Sequence, residues 1–281
     1  MNITNTIDSI IRQGEIHIRI NEGDYINDSD GLLYCGKCHT AKQTRVQLFG
    51  IIRHPMCLCK CESEKLAREE EERKRQEFES KVKELRKIGF PDCEMQKWNF
   101  ANDDLSNEQI TKAMQRYVDH FAELRKSGKG LLLYGPIGTG KTYAACEVAN
   151  ALIDKGYSVL VTNFSRILNA LQGTFEKQDY IDRLNRFQLL IVDDLGIERS
   201  NSEFAKEQIY NVIDSRYRAC LPMIITTNLS IEKIKNPDSI ENSRIYDRII
   251  ERCFPIQVNG RNRRRKAVCE NYDDLKAMLG I

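Results

Sequence analysis

Three clusters of residues in this chain have the types and spacing to do chemistry. The first is Gly135-Pro136-Ile137-Gly138-Thr139-Gly140-Lys141-Thr142, which fits G-x-x-x-x-G-K-[ST], a phosphate-binding loop. Its glycines let successive backbone N–H groups converge on phosphate oxygens. The helix expected to follow points its positive end at the same anion. Lys141 is placed to reach β- and γ-phosphates, and the Thr142 hydroxyl to ligate Mg²⁺. The second cluster is Asp193-Asp194, 52 residues after Lys141 and directly after the apolar run Phe187–Val192. Asp193 is expected to hold Mg²⁺ opposite the loop, and Asp194 to orient and deprotonate an attacking water. Asn228, after the run Pro222–Thr227, is a further candidate to hydrogen-bond that water or a γ-phosphate.

The third cluster is cysteine. Cys35-Gly36-Lys37-Cys38 is a C-x₂-C knuckle, and after eighteen intervening residues comes Cys57-Leu58-Cys59-Lys60-Cys61. Two thiolate pairs at that separation suit a tetrahedral Zn²⁺ ion. Four ligands are needed and five cysteines are present. The favoured set is Cys35, Cys38, Cys57 and Cys59, with Cys61 a rival for either of the last two; His39 and His54 are lesser candidates. An all-sulfur shell leaves no open position, so the site reads as structural. The alternating pattern of Thr44–Arg53, between the pairs, predicts strands as in a zinc ribbon.

Elements must position these groups. Leu131–Tyr134 is an apolar strand feeding the loop. Ala144, Ala145, Val148, Ala149, Leu152 and Ile153 recur at helical spacing after it, and Gly156 closes that helix. Tyr157–Thr162, Phe187–Val192, Pro222–Thr227 and Phe254–Val258 read as further strands. Ser165–Leu171, Phe204–Tyr217 and Ser243–Cys253 read as helices. The strands lack polar alternation, as when both faces are covered, so a parallel α/β sheet with helices on both faces is expected. Upstream, Ser106 with Gln109 forms a capping box for a helix to Lys126. Trp98, Asn99 and Phe100 precede it, either packing a nucleotide base or joining the core. Glu62–Lys87 is charge-dense with a sparse apolar stripe, a solvated helical linker that Gly89-Phe90-Pro91 ends. Ile16, Ile18 and Ile20 alternate with polar residues as a short strand.

Composition narrows the class. The 281 residues include 43 basic and 41 acidic side chains, a net charge near +2 that by itself neither favours nor excludes nucleic acid. No apolar run reaches membrane-spanning length and no basic-then-apolar leader opens the chain, so a cytoplasmic protein without a membrane partner is expected. Ten cysteines in that compartment are expected to be thiols or metal ligands.

The set GPIGTGKT, LLIVDDLG, IITTN and YDRIIERC, spanning about Lys97–Arg265, resembles the AAA+ ATPases of the replicative helicase loader type, the DnaC/DnaI and IstB-like group. The cysteine cluster and charged helix resemble phage and mobile-element members. The resemblance implies that Lys141 and Thr142 are Walker A, Asp193 and Asp194 Walker B, and Asn228 sensor 1. It implies Arg248 as the arginine finger reaching a neighbouring subunit, with Arg244 and Arg252, four residues to either side, as alternatives. Most AAA+ proteins carry Glu where Asp194 stands; Asp-Asp is common among loaders and implies slow, partner-stimulated hydrolysis. Arg261, Arg263, Arg264, Arg265 and Lys266 fall where lid contacts would lie, to sense nucleotide, to touch single-stranded DNA phosphates, or as a solvated tail. The organisation expected is a zinc-binding domain over 1–61, a linker over 62–88 and an AAA+ domain over 89–281. The activity implied is ATP-dependent loading of a replicative helicase onto single-stranded DNA, with ATP, Mg²⁺ and Zn²⁺ as cofactors and self-association through the finger. A transposition helper of the IstB kind and a non-hydrolysing adaptor are the alternatives.

Overall fold

The computed structural model describes residues 19–196, 203–260, 262, 276, 278 and 279. The strand expected at Ile16–Ile20 lies mostly outside the described residues, and the basic side chains of 261–266 lie wholly outside them. The chain divides into two compact units, Met1–Phe78 and Glu79–Ile281.

In the first unit, β1 (Tyr25–Ile26) pairs antiparallel with β2 (Leu33–Tyr34), and β3 (Val46–Leu48) with β4 (Ile51–Arg53). The second hairpin lies within the alternating Thr44–Arg53 stretch. Such short ribbons bury too little to stand alone, so cross-links must hold them. One is polar: the Lys42 ammonium, fully buried, bonds Asp24 at 2.9 Å and Glu62 at 3.4 Å. The long helix α1 (Lys60–Gly89) begins in this unit and ends in the other. Its exposed face carries Lys65–Glu69, Lys74–Glu70 and Arg73–Glu77 pairs one turn apart. Being solvent-screened, each adds little alone, but together they support a helix with little to bury.

The second unit is a three-layer α/β/α stack. Two 3₁₀ turns, Cys93–Lys97 and Phe100–Asn102, lead to α2 (Glu108–Asp119) and α3 (Phe121–Ser127). The expected capping box is not made. Asn107 occupies the cap position without a side-chain cap bond, its amide donating instead to the Asn259 carbonyl at 2.9 Å, and the helix starts at Glu108. A turn at His120 splits the expected single helix and lets Phe121 bury completely, edge-on to Tyr157. There follow β5 (Gly130–Tyr134), α4 (Lys141–Asp154), β6 (Val159–Asn163), α5 (Phe164–Gln172), α6 (Lys177–Asn185) and β7 (Leu189–Leu195). The chain continues through α7 (Glu203–Arg218), β8 (Met223–Thr227), α8 (Ile231–Lys235), α9 (Ile240–Arg252) and β9 (Cys253–Gln257).

The five strands are parallel, in the order β6-β7-β8-β5-β9. Alternate residues serve opposite layers. Leu131, Leu133, Leu189 and Ile191 meet α2, α3 and α4 on one face. Leu132, Leu190, Val192 and Ile225 meet α5, α6, α7 and α9 on the other. Each fully buried leucine or isoleucine contributes about 2 kcal/mol. This double coverage explains the unbroken apolar strands. Among the described residues no helix is long and apolar enough to cross a membrane.

Candidate functional site

Strand order dictates what meets at the carboxyl edge of the sheet, where open α/β folds bind ligands. β5 carries the phosphate loop and β7 the acid pair, but they are not neighbours; β8 lies between them. Its tip, Thr226-Thr227-Asn228, is therefore the bridge between loop and acids.

The loop has the backbone that phosphate binding requires. Gly135 has φ +150°, and a Cβ there would stand 2.3 Å from the Val258 carbonyl oxygen. Gly140, with φ +95°, directly precedes α4, whose first N–H groups face the loop. The Thr139 hydroxyl donates to the Pro136 carbonyl at 2.9 Å and ties the loop. Lys141 is buried within it, donating to the carbonyls of Gly135 (2.9 Å) and Pro136 (2.7 Å) and to Asn228 Oδ1 (2.7 Å). An ammonium exchanging carbonyl oxygens for phosphate oxygens keeps its coordination, so these donors fit a nucleotide phosphate. Ile137 is exposed at the loop's crest and Pro136 begins its turn.

The second half meets the first directly. The Thr142 hydroxyl donates to Asp193 Oδ1 at 2.8 Å, uniting the two residues expected to share a magnesium ion. Burial raises the Asp193 carboxyl; hydroxyl bonds from Thr226 and Thr142 oppose this, while the Asp194 charge adds to it. A divalent cation would offset both the burial and the like charge. Asp194 has φ +59°, a left-handed conformation that costs a non-glycine residue about 1 kcal/mol or more. Asn228 Nδ2 stands 3.5 Å from Asp194 Oδ1, so Asn228 contacts both Lys141 and Asp194. Thr226, within the strand expected at Pro222–Thr227 but not among the expected site residues, touches both acids.

Trp98 stacks on Tyr143, rings 5.8 Å apart, against the core that also receives Phe100. The buried Asn150 holds this segment by donating to the carbonyls of Met95 and Trp98.

The three arginines of α9 differ. Arg248 donates from Nε to Asp214 Oδ1 at 2.6 Å and from Nη2 to the Tyr210 hydroxyl at 2.8 Å, with its guanidinium over the Tyr210 ring. The expected finger is thus engaged within its own chain. Arg252 lies over the Tyr217 ring and donates to the Tyr217 carbonyl. Arg244 is exposed, lining a groove with Tyr210, Asn211 and Glu241.

In the cysteine unit the thiols of Cys35, Cys38, Cys59 and Cys61 lie within 4.8 Å of one another. Sulfurs around tetrahedral zinc stand roughly 3.8 Å apart, so the cluster is compatible with one zinc ion. The expectation of Cys57 as a ligand in preference to Cys61 is corrected. The Cys57 thiol turns instead to the Ala41 carbonyl. The reason is the start of α1: Cys59 just precedes the helix and Cys61 lies in its first turn, on the knuckle's side. The Thr40 hydroxyl, 3.1 Å from Cys38 Sγ, leads the contacts that lower that thiol to about 5, ready to bind metal. Glu62 contacts Cys59 at 3.4 Å and also bonds Lys42, so the buried ion pair braces the cluster. His39 is held by the Tyr25 hydroxyl and His54 is exposed; neither belongs to the cluster.

Comparison with known proteins accords with this arrangement. Over 273 residues, 92% of this chain and 86% of the other, the chain is 26% identical to the replicative helicase loader DnaI of Bacillus subtilis (strain 168). Over 195 residues, 66% of this chain and 74% of the other, it is 26% identical to the replicative helicase loader DnaC of Buchnera aphidicola subsp. Schizaphis graminum (strain Sg). Its fold is similar to the crystal structure of DnaI, with a TM-score of 0.54 and 24% identity, covering 64% of this chain and 98% of that one. The family described as IstB-like ATP binding protein matches residues 61–270, which include the loop, both acids, the β8 tip and all three α9 arginines. With that match over most of its length, and with the phosphate loop and acid pair meeting as described, the chain belongs to the IstB-like ATP binding protein family.

Proposed function

We propose that this protein is an ATP-dependent loader that delivers a replicative helicase to single-stranded DNA. The observation that carries the nucleotide part is the direct meeting of the two half-sites: Thr142 with Asp193, and Lys141 with Asn228. The loader part is supported by the relative named DnaI, which aligns over both units of the chain.

In this reading Lys141 and the loop N–H groups bind the β- and γ-phosphates, while Thr142 and Asp193 hold Mg²⁺, which offsets the phosphate charge. Asp194 accepts the proton of the attacking water, and Asn228 keeps that acid aimed. Zinc, held by Cys35, Cys38, Cys59 and Cys61, fixes the first unit as the surface that grips the helicase. Arg244 acts as the finger toward a neighbouring copy. Its guanidinium is exposed, whereas Arg248 and Arg252 are tied into their own chain.

Co-purification of the zinc-loaded full chain with a hexameric replicative helicase tests the reading. Retention of the helicase, and its transfer to single-stranded DNA on ATP addition, is expected. No retention of the helicase, or retention of a transposase instead, would overturn it in favour of a transposition helper.

A further inference from the structure

Strand geometry sends successive side chains to opposite faces. Asp193 and Asp194 are successive, yet one site needs both. β7 meets this need with a bulge: Val192 pairs with Ile225 and Leu195 with Thr227, so both acids stand opposite Thr226 alone. Asp194 sits there at φ +59°, a conformation that persists only where surrounding bonds enforce it. Thr226, fully buried, supplies them from one oxygen. Its hydroxyl donates to Asp193 Oδ1 at 2.5 Å and accepts the Asp194 N–H at 2.9 Å. Thr227 closes the far side, its hydroxyl donating to the Leu195 carbonyl at 2.8 Å.

A β-branched residue in a central strand is ordinarily there to pack, and valine would pack equally well. Valine would also leave the Asp194 N–H without its acceptor and remove one of the two hydroxyls on Asp193 Oδ1. We infer that Thr226 is a positioning residue for the nucleotide reaction, its single hydroxyl holding the metal-binding acid and the proton-accepting acid in register with Thr142 and Asn228. The inference rests on the nucleotide reading above. It goes further by assigning the geometry of the acid pair to a side chain outside the set expected to hold phosphate or metal.

The test uses the zinc-loaded full chain, a fluorescent ATP analogue titrated with and without Mg²⁺, and ATP turnover. Outer partners of metal ligands typically change affinity or activity about 10–100-fold. Thr226→Val should therefore raise the Mg²⁺ midpoint about tenfold and lower kcat by about 10–100-fold. Its nucleotide binding in EDTA and its KM at saturating Mg²⁺ should stay near wild type, since Lys141 and the loop are untouched. Thr226→Ser keeps the hydroxyl and should restore both readouts. A wild-type midpoint and kcat in Thr226→Val would overturn the inference. Equal impairment of Thr226→Ser would also overturn it, by assigning the effect to packing. If Thr226→Val shows no cooperative melt, Thr226→Ala, measured alike, decides by the same criteria. Wild-type chain that binds no nucleotide would remove the nucleotide reading and this inference together. Wild-type binding with an unaffected Thr226→Val would remove this inference alone.

Discussion

Two residues in this chain share a type and nearly a position yet differ in what they face. Spacing favours Cys57 with Cys61 as its rival, and the onset of α1 brings Cys61 instead to the other thiols. Cys61→Ser should therefore lose bound zinc, while Cys57→Ser should keep about one ion per chain; metal analysis of the purified variants measures this directly. The α9 arginines behave the same way. Arg248→Ala leaves the Asp214 carboxylate with Arg218 as its remaining ion-pair partner and should destabilise the second unit by about 1–3 kcal/mol. Arg244→Ala touches no such network. It should leave the melting temperature and monomer ATP affinity unchanged and abolish stimulation of ATPase activity by assembly. Loss of stability in Arg244→Ala, or full stimulation, would contradict the assignment. Sequence showed that arginines recur every fourth residue on one helix; it did not show which guanidinium the neighbouring α7 captures.

At the scale of elements, what was legible follows from burial. The strands β5, β7 and β8 were readable because both faces are covered and the residues are almost uniformly apolar. The helix α6 was not, because only Ile181 and Leu184 of its nine residues are buried and too little periodicity survives. Nor was the bulge in β7, since register is a property of the paired strand. The same limit concealed Arg216. Its guanidinium is fully buried and donates to the carbonyls of Leu184 and Pro222 at 3.0 and 2.8 Å and to that of Phe187, joining the ends of α6, β7 and β8. Burial lowers its pKa to about 9. Arg216→Met would take this donor from the Phe187 carbonyl and leave those of Leu184 and Pro222 with only their longer backbone N–H bonds, at a cost of about 1–3 kcal/mol, read as a lower denaturation midpoint at unchanged slope. A variant as stable as wild type would show that the carbonyls find other donors.

For the whole molecule, division of labour follows from how each unit is held together. The first has small hairpins, a buried lysine with two carboxylates, and four converging thiols. The second has two apolar layers around a parallel sheet. The phosphate loop and acid pair were legible in the sequence because phosphate and magnesium chemistry constrain residue type at fixed spacing. The residues that aim them were not, because a threonine hydroxyl within a buried strand carries no sequence signal of its own. The most direct measurement is a calorimetric titration of Mg–ATP into folded, zinc-replete protein. One saturable site per chain is predicted, lost in Lys141→Ala and retained in Asp194→Asn, whose phosphate release should nevertheless stop. No binding heat at any temperature, or equal loss of binding in both variants, would contradict the clasp between loop and acids on which this account depends.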